Sequence, residues 1–172
     1  MNNIFFFVIK LIIKKYNKMK KLISKWLIGN IAQKFETNAP YELVIEKLTE
    51  TVKDNSFAVL VTHNLKETYV KKNLKIADDF EYRIVQICNA PKSHKALSKM
   101  SLDMGIMMPK SIIVARENGK TTFRFMKMKP WMVSMMFPKL DIAPMSKMVT
   151  KIMQKIVMET INKAEAYTKK VA

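Results

Sequence analysis

Cysteine occurs once in this chain, glycine three times and arginine three times, and each scarcity closes off a class of function. The single Cys88 forms no internal disulfide and supplies no spaced set of thiolates for structural zinc. A reducing, cytosolic setting is therefore the default, and no metal or cofactor is expected. Gly29, Gly105 and Gly119 lie too far apart to build a phosphate-cradling loop, which argues against nucleotide binding by the usual routes. Arginine is the side chain that forks onto phosphate and guanine, and here 28 lysines stand against 3 arginines. With no zinc finger, helix-turn-helix or paired sheet aromatics, specific nucleic-acid recognition is not expected, and nonspecific phosphate contact at low salt is what remains. The two histidines, His63 and His94, sit in no thiol-hydrolase motif. No apolar run reaches the roughly 20 residues that cross a bilayer as a helix.

What is abundant is lysine, methionine and aliphatic surface. The chain of 172 residues is 49% hydrophobic and 26% charged, enough apolar surface for one domain with a real core. Its formal charge of +17 favours polyanions or anionic lipid. Residues 1–40 hold eight lysines and one acid, Glu36, and a second basic cluster lies in the last segment.

The intensely apolar start contains Phe5, Phe6 and Phe7 and is interrupted by Lys10. Its charges follow rather than precede the apolar run and no small-residue cleavage site comes after, a poor match to a secretory signal. Met19-Lys20-Lys21 offers an alternative start of translation to Met1. From Ile12 to Ile31 the apolar positions Ile12, Tyr16, Met19, Ile23, Trp26, Leu27 and Ile31 recur at three and four, with lysines around the remaining circumference. Such a basic amphipathic helix can lie among lipid headgroups or pack on the protein's own core. Residues 1–32 are read as a basic amphipathic extension and 33–167 as the domain.

Along the domain, a short strand at 32–37 precedes a helix that starts at Asn38-Ala39-Pro40 and ends at Asp54-Asn55. Phe57–Thr62 reads as a buried strand, and Asn64–Lys72 as a short helix capped by Asn64. A strand at 81–87 leads to a Pro-led helical turn at 91–100. Strands at 111–115 and 121–128 flank Asn118-Gly119, a hairpin signal that makes them antiparallel. A final helix runs from Pro144 to about Tyr167. The pattern predicts a two-layer α/β sandwich, with a mixed sheet and helices on one face.

Several of these residues fall in a recognisable order: Tyr82–Ile87 ending at Cys88-Asn89-Ala90-Pro91, then His94-Lys95-Ala96-Leu97, Gly105-Ile106-Met107-Met108-Pro109, Ile112–Ala115 and Glu117-Asn118-Gly119-Lys120. Together they resemble the signature of the Domain of Unknown Function 302 family, small bacterial and archaeal two-layer α/β proteins, over roughly residues 33–165. Members of that family commonly carry Leu-Leu-Pro-Cys-Asn where this chain has Met107-Met108-Pro109-Lys110-Ser111. The resemblance implies that a second family cysteine is replaced by Lys110, so that a two-thiol redox or metal site is lost.

Cys88 closes a strand beside a helix start, a position that favours a reactive thiol, and the alternative is a small buried hydrophobe. With one of the two histidines and an acid such as Asp103 a Cys-His-Asp arrangement can be drawn around Cys88, but nothing in the local sequence supports catalysis. Fifteen methionines suggest soft monovalent copper, which the interleaved Lys127 and Lys129 oppose; gap-filling in a core is the ordinary alternative. Pro130–Pro138, with Trp131, Met135 and Phe137 between lysines, reads as an apolar loop suited to a bilayer interface, a sheet edge or a second copy in a homodimer.

The sequence thus points to a non-enzymatic binding protein, cytoplasmic and peripheral to the inner face of the membrane. Phe5, Phe6, Phe7, Trp26, Trp131, Met135 and Phe137 are the expected membrane contacts. Cys88, Asn89, His94, Met108, Pro109 and Lys110 are the expected ligand site for an unknown small molecule, at strand ends where α/β sheets keep their sites. The alternatives are a thiol enzyme or redox sensor using Cys88, and nonspecific nucleic-acid binding.

Overall fold

The periodicities of the domain become a five-stranded sheet with two long helices laid on one face. The computed structural model describes residues 2–171, with side chains described for 14–24 and 28–171. In chain order the elements are α1 (Asn2–Ile31), β1 (Ala32–Thr37), α2 (Tyr41–Asp54), β2 (Ala58–Asn64), α3 (Leu65–Lys71), β3 (Tyr82–Cys88), α4 (Ala90–Lys99), a 3₁₀ turn (Leu102–Met107), β4 (Lys110–Glu117), β5 (Lys120–Met126), α5 (Pro130–Met136) and α6 (Ala143–Val171).

Alternation fixes the inner face of the sheet. Val85 and Ile87 on β3, Ile112 and Val114 on β4, and Phe123 and Phe125 on β5 all point to one side and are buried. Register sets them against one another, Val85 opposite Ile112, Ile112 opposite Phe125 and Val114 opposite Phe123. Val44, Leu48 and Val52 of α2 and Met153, Ile156, Val157 and Ile161 of α6 complete this core at helical spacing. Tyr41 enters from the first turn of α2 and donates its hydroxyl to the Val114 carbonyl at 3.0 Å. Burial pushes that phenol well above its ordinary range. The two helices are also tied to one another, Asn55 to Glu159 at 2.7 Å and Lys163 to Asp54 at 2.6 Å.

The strand order is β1-β5-β4-β3-β2 and every neighbouring pair is antiparallel, so the sheet is not the mixed one that the interspersed helices suggested. A parallel pair needs a crossover that spans the sheet. Here β3 ends and β4 begins at the same edge of the layer, with Ile87 opposite Lys110. The intervening α4 and 3₁₀ turn therefore sit at the end of the sheet and do not cross its face.

Two further readings change. β2 is an outer strand, with Leu60 56% and Val61 39% exposed, and not a buried one. Its register shifts between Val59 and Val61, a bulge of the kind that blunts an exposed edge. The segment after Lys129 is the helix α5 and not a loop: Pro130 stands in its first turn, where a missing amide hydrogen is harmless, and no breaker follows until Phe137-Pro138.

α1 leaves the fold. Lys14–Ser24 are exposed throughout, and Tyr16, Met19, Leu22 and Ile23 cover nothing in the domain. Phe5, Phe6, Phe7 and Trp26 lie outside the residues whose side chains are described.

Candidate ligand cavity at the end of the sheet

Because α4 and the 3₁₀ turn fold over the sheet end, they meet α5 and the start of α6 there. Ala96, Met104, Val133, Phe137 and Ile142 make a second, smaller cluster beside the main core. Between the two clusters lies a cavity of about 630 Å³, within the range of roughly 300–1,000 Å³ usual for small-molecule sites. Nine methionines line it, contributed by the 3₁₀ turn, β5, α6 and the segments that join the elements. Thioether chains fill irregular space and adapt to what they touch.

Five of the six expected ligand residues come together in its wall: Cys88, Asn89, Met108, Pro109 and Lys110. His94 does not join them; it is exposed on α4, two residues before the inward-facing Ala96. Asn89 is already committed to the fold. Its Oδ1 accepts the Lys92 amide at 3.0 Å, capping α4, and its Nδ2 donates to the Ser56 carbonyl at 2.8 Å. The Met108–Pro109 peptide is cis.

Lys110 is the unusual member. It shares the inner-face parity of Ile112 and Val114 at the very start of β4, so its side chain enters the helix-covered layer where a hydrophobe would be expected. Burial holds its ammonium below the usual lysine range. Among the described residues no carboxylate pairs with it, and no acid lines the cavity. Lys92, Lys95 and Lys99 of α4 add charge of the same sign at the exposed lip.

Cys88 is half-buried and donates to Ser93 Oγ at 3.4 Å, while the Ser93 hydroxyl donates to the Ala90 carbonyl at 3.0 Å. The serine proton is committed, so its oxygen serves the thiol as an acceptor. Asp103 is exposed and paired with Ser101 at the 3₁₀ turn, so the Cys-His-Asp arrangement is not assembled. Among the described residues no three His, Cys, Asp or Glu side chains cluster as metal ligands.

On α5, Val133 and Phe137 turn inward at i, i+4, whereas Trp131 and Met135 are 54% and 73% exposed. Phe137 is thus a core residue and not a surface contact. The sequence missed Met100, Met104, Met126, Met128, Met145 and Met153 as cavity wall. The available signal was clustering: twelve of the fifteen methionines fall between residues 100 and 153.

The model of the family described as Domain of unknown function DUF302 matches residues 33–160. Among solved structures, an uncharacterized conserved protein DUF302 from Bacillus stearothermophilus is similar at 22% identity and a TM-score of 0.59. The match covers 78% of this chain and 98% of that one, a likeness of fold. No curated protein matches.

Proposed function

The chain belongs to the family of the Domain of unknown function DUF302, and from that premise we propose that it is a non-catalytic ligand-binding protein resting on an anionic membrane surface. The observation that carries the reading is apolar surface left uncovered beside lysines at two places. On α1, Tyr16, Met19 and Ile23 are half-exposed among Lys15, Lys18 and Lys20. On α5, Trp131, Met135 and Met136 are exposed between Lys129 and Lys139. Such side chains have an apolar body and lysine neighbours whose charge suits lipid phosphate. The attachment proposed is peripheral, and among the described residues no helix is long and apolar enough to cross a membrane.

α5 lends Val133 to the cavity wall and turns Trp131 outward, which supports ligand exchange near that surface. Cytoplasmic, inner-leaflet attachment follows from the charge, since that leaflet carries the anionic lipid. Flotation with vesicles tests the reading. The protein is expected to rise with phosphatidylglycerol-containing vesicles at moderate salt and to stay largely behind with phosphatidylcholine alone. Protein that remains in solution with both overturns membrane attachment.

A further inference from the structure

We propose that the cavity takes a single-chain anionic amphiphile of the fatty-acid class, its hydrocarbon along the methionine wall and its carboxylate on Lys110. The inference rests on the reading of the domain as a ligand-binding protein and names what it binds.

Three observations converge on this class. The wall is almost wholly apolar and lined by methionine, which suits a flexible hydrocarbon chain better than a rigid polar ring. The polar end is of one sign: Lys110 enters from the sheet with no carboxylate partner among the described residues, and Lys92, Lys95 and Lys99 stand at the lip. A cation is excluded by the same four charges, which also removes monovalent copper despite the thioethers. An ammonium in a mostly apolar wall is a poor ground state that one carboxylate corrects by a charge-assisted hydrogen bond. A neutral alcohol of the same length gains the chain contacts but not that correction.

The test is displacement of a neutral hydrophobic dye, N-phenyl-1-naphthylamine, from the full chain below micelle-forming concentrations. Dodecanoate, tetradecanoate, hexadecanoate and hexadecanol are the competitors. Affinity is expected to rise about fourfold per methylene while the chain still fits. Hexadecanoate should bind at least about tenfold tighter than hexadecanol, as expected for a charge-assisted bond. In Lys110→Met that preference should collapse with hexadecanol binding retained, and Lys110→Gln should behave in the same way. Lys72→Gln, on the exposed end of α3, should leave it unchanged. Circular dichroism establishes that each variant is folded.

Equal affinity for acid and alcohol, or a preference that survives in both Lys110 variants, overturns the proposal. Loss of the preference in Lys72→Gln overturns it as well, because the anion is then held by general charge. Dye uptake that no fatty acid displaces removes this ligand class and leaves a ligand-binding domain standing. Absence of dye uptake removes both.

Discussion

Replacing Lys15 and Lys20 together by glutamine is expected to weaken binding to anionic vesicles about 30-fold, and replacing Lys14 and Lys21 only about three- to fourfold. Successive helical residues turn by roughly 100°, so Tyr16, Met19 and Ile23 fall within an arc of roughly 60°. All three are about half-exposed, so the domain does not occupy that arc. On the same count Lys15 and Lys20 stand roughly 70° to either side of its centre, and Lys14 and Lys21 lie nearly opposite. The Lys20 ammonium is 4.6 Å from the Tyr16 ring centroid, which keeps it at the flank of the apolar stripe. A lysine at the lipid surface is worth on the order of 1 kcal/mol, so the flanking pair contributes about 2 kcal/mol. The opposite pair stands about one helix diameter further out, roughly 10 Å, which is close to the Debye length of about 8 Å at physiological salt. Roughly a third of the attraction survives at that distance, about 0.7 kcal/mol for the pair. Sedimentation with phosphatidylglycerol-containing vesicles at physiological salt gives the two partition coefficients. Equal losses for the two pairs would mean undirected adsorption of a basic protein and would refute an oriented helix.

Thr51 is buried in α2 with its hydroxyl unpartnered among the described residues, so Thr51→Val is expected to raise stability by about 1–3 kcal/mol. A later urea midpoint at unchanged slope supports this, and an earlier one refutes it. Phe137→Ala removes the aromatic of the small cluster and is expected to cost about 3 kcal/mol or more, whereas Trp131→Ala stays within about 0.5 kcal/mol and weakens vesicle binding. Denaturant curves beside flotation check both, and the reverse ranking contradicts the orientation of α5. Lys110 titrates below its ordinary value of 10.5 when folded, so the unfolded chain binds that proton more tightly between the two values. Stability of the protein relative to Lys110→Met should therefore rise with pH through that interval, having been fully penalised below it. Urea unfolding at a series of pH values measures the difference, and a flat difference contradicts the buried ammonium.

Local chemistry made much of this fold legible. Asn118 and Gly119 have φ of 53° and 75°, the paired positive values that a two-residue hairpin demands, and both strands follow from that turn. Asn64 caps α3 by accepting the Glu67 amide, as its position before a helical stretch predicted. β1 and the long helices were equally plain, because their spacing needs no tertiary partner to be read. What depended on tertiary arrangement was not. Phe57–Thr62 is apolar enough for a central strand, yet the path of α2 carries β2 to an edge. Pro130 and Pro138 look like loop boundaries until one sees that the first stands where a helix tolerates it.

The candidate site was half legible for the same reason. Cys88 and Lys110 lie at the ends of strands that pair, Ile87 opposite Lys110, so reading the strands placed them together. The methionines meet only because α4 folds over the end of the layer, which no periodicity encodes. His94 was lost through helix geometry: it stands two residues before Ala96, and the turn between them carries it to solvent.

α1 passes into β1 with no intervening residue, Ile31 to Ala32, and the Ile31 carbonyl accepts the Lys127 amide at 2.8 Å. Ala32 lies opposite Met126, which with Met128 belongs to the cavity wall. The helix is joined to the cavity wall as a handle is to a hinge plate, with no residue between α1 and β1. A lipid sheet that tilts the handle would strain the plate, and widening or narrowing of the chamber would in turn bear on how the handle lies.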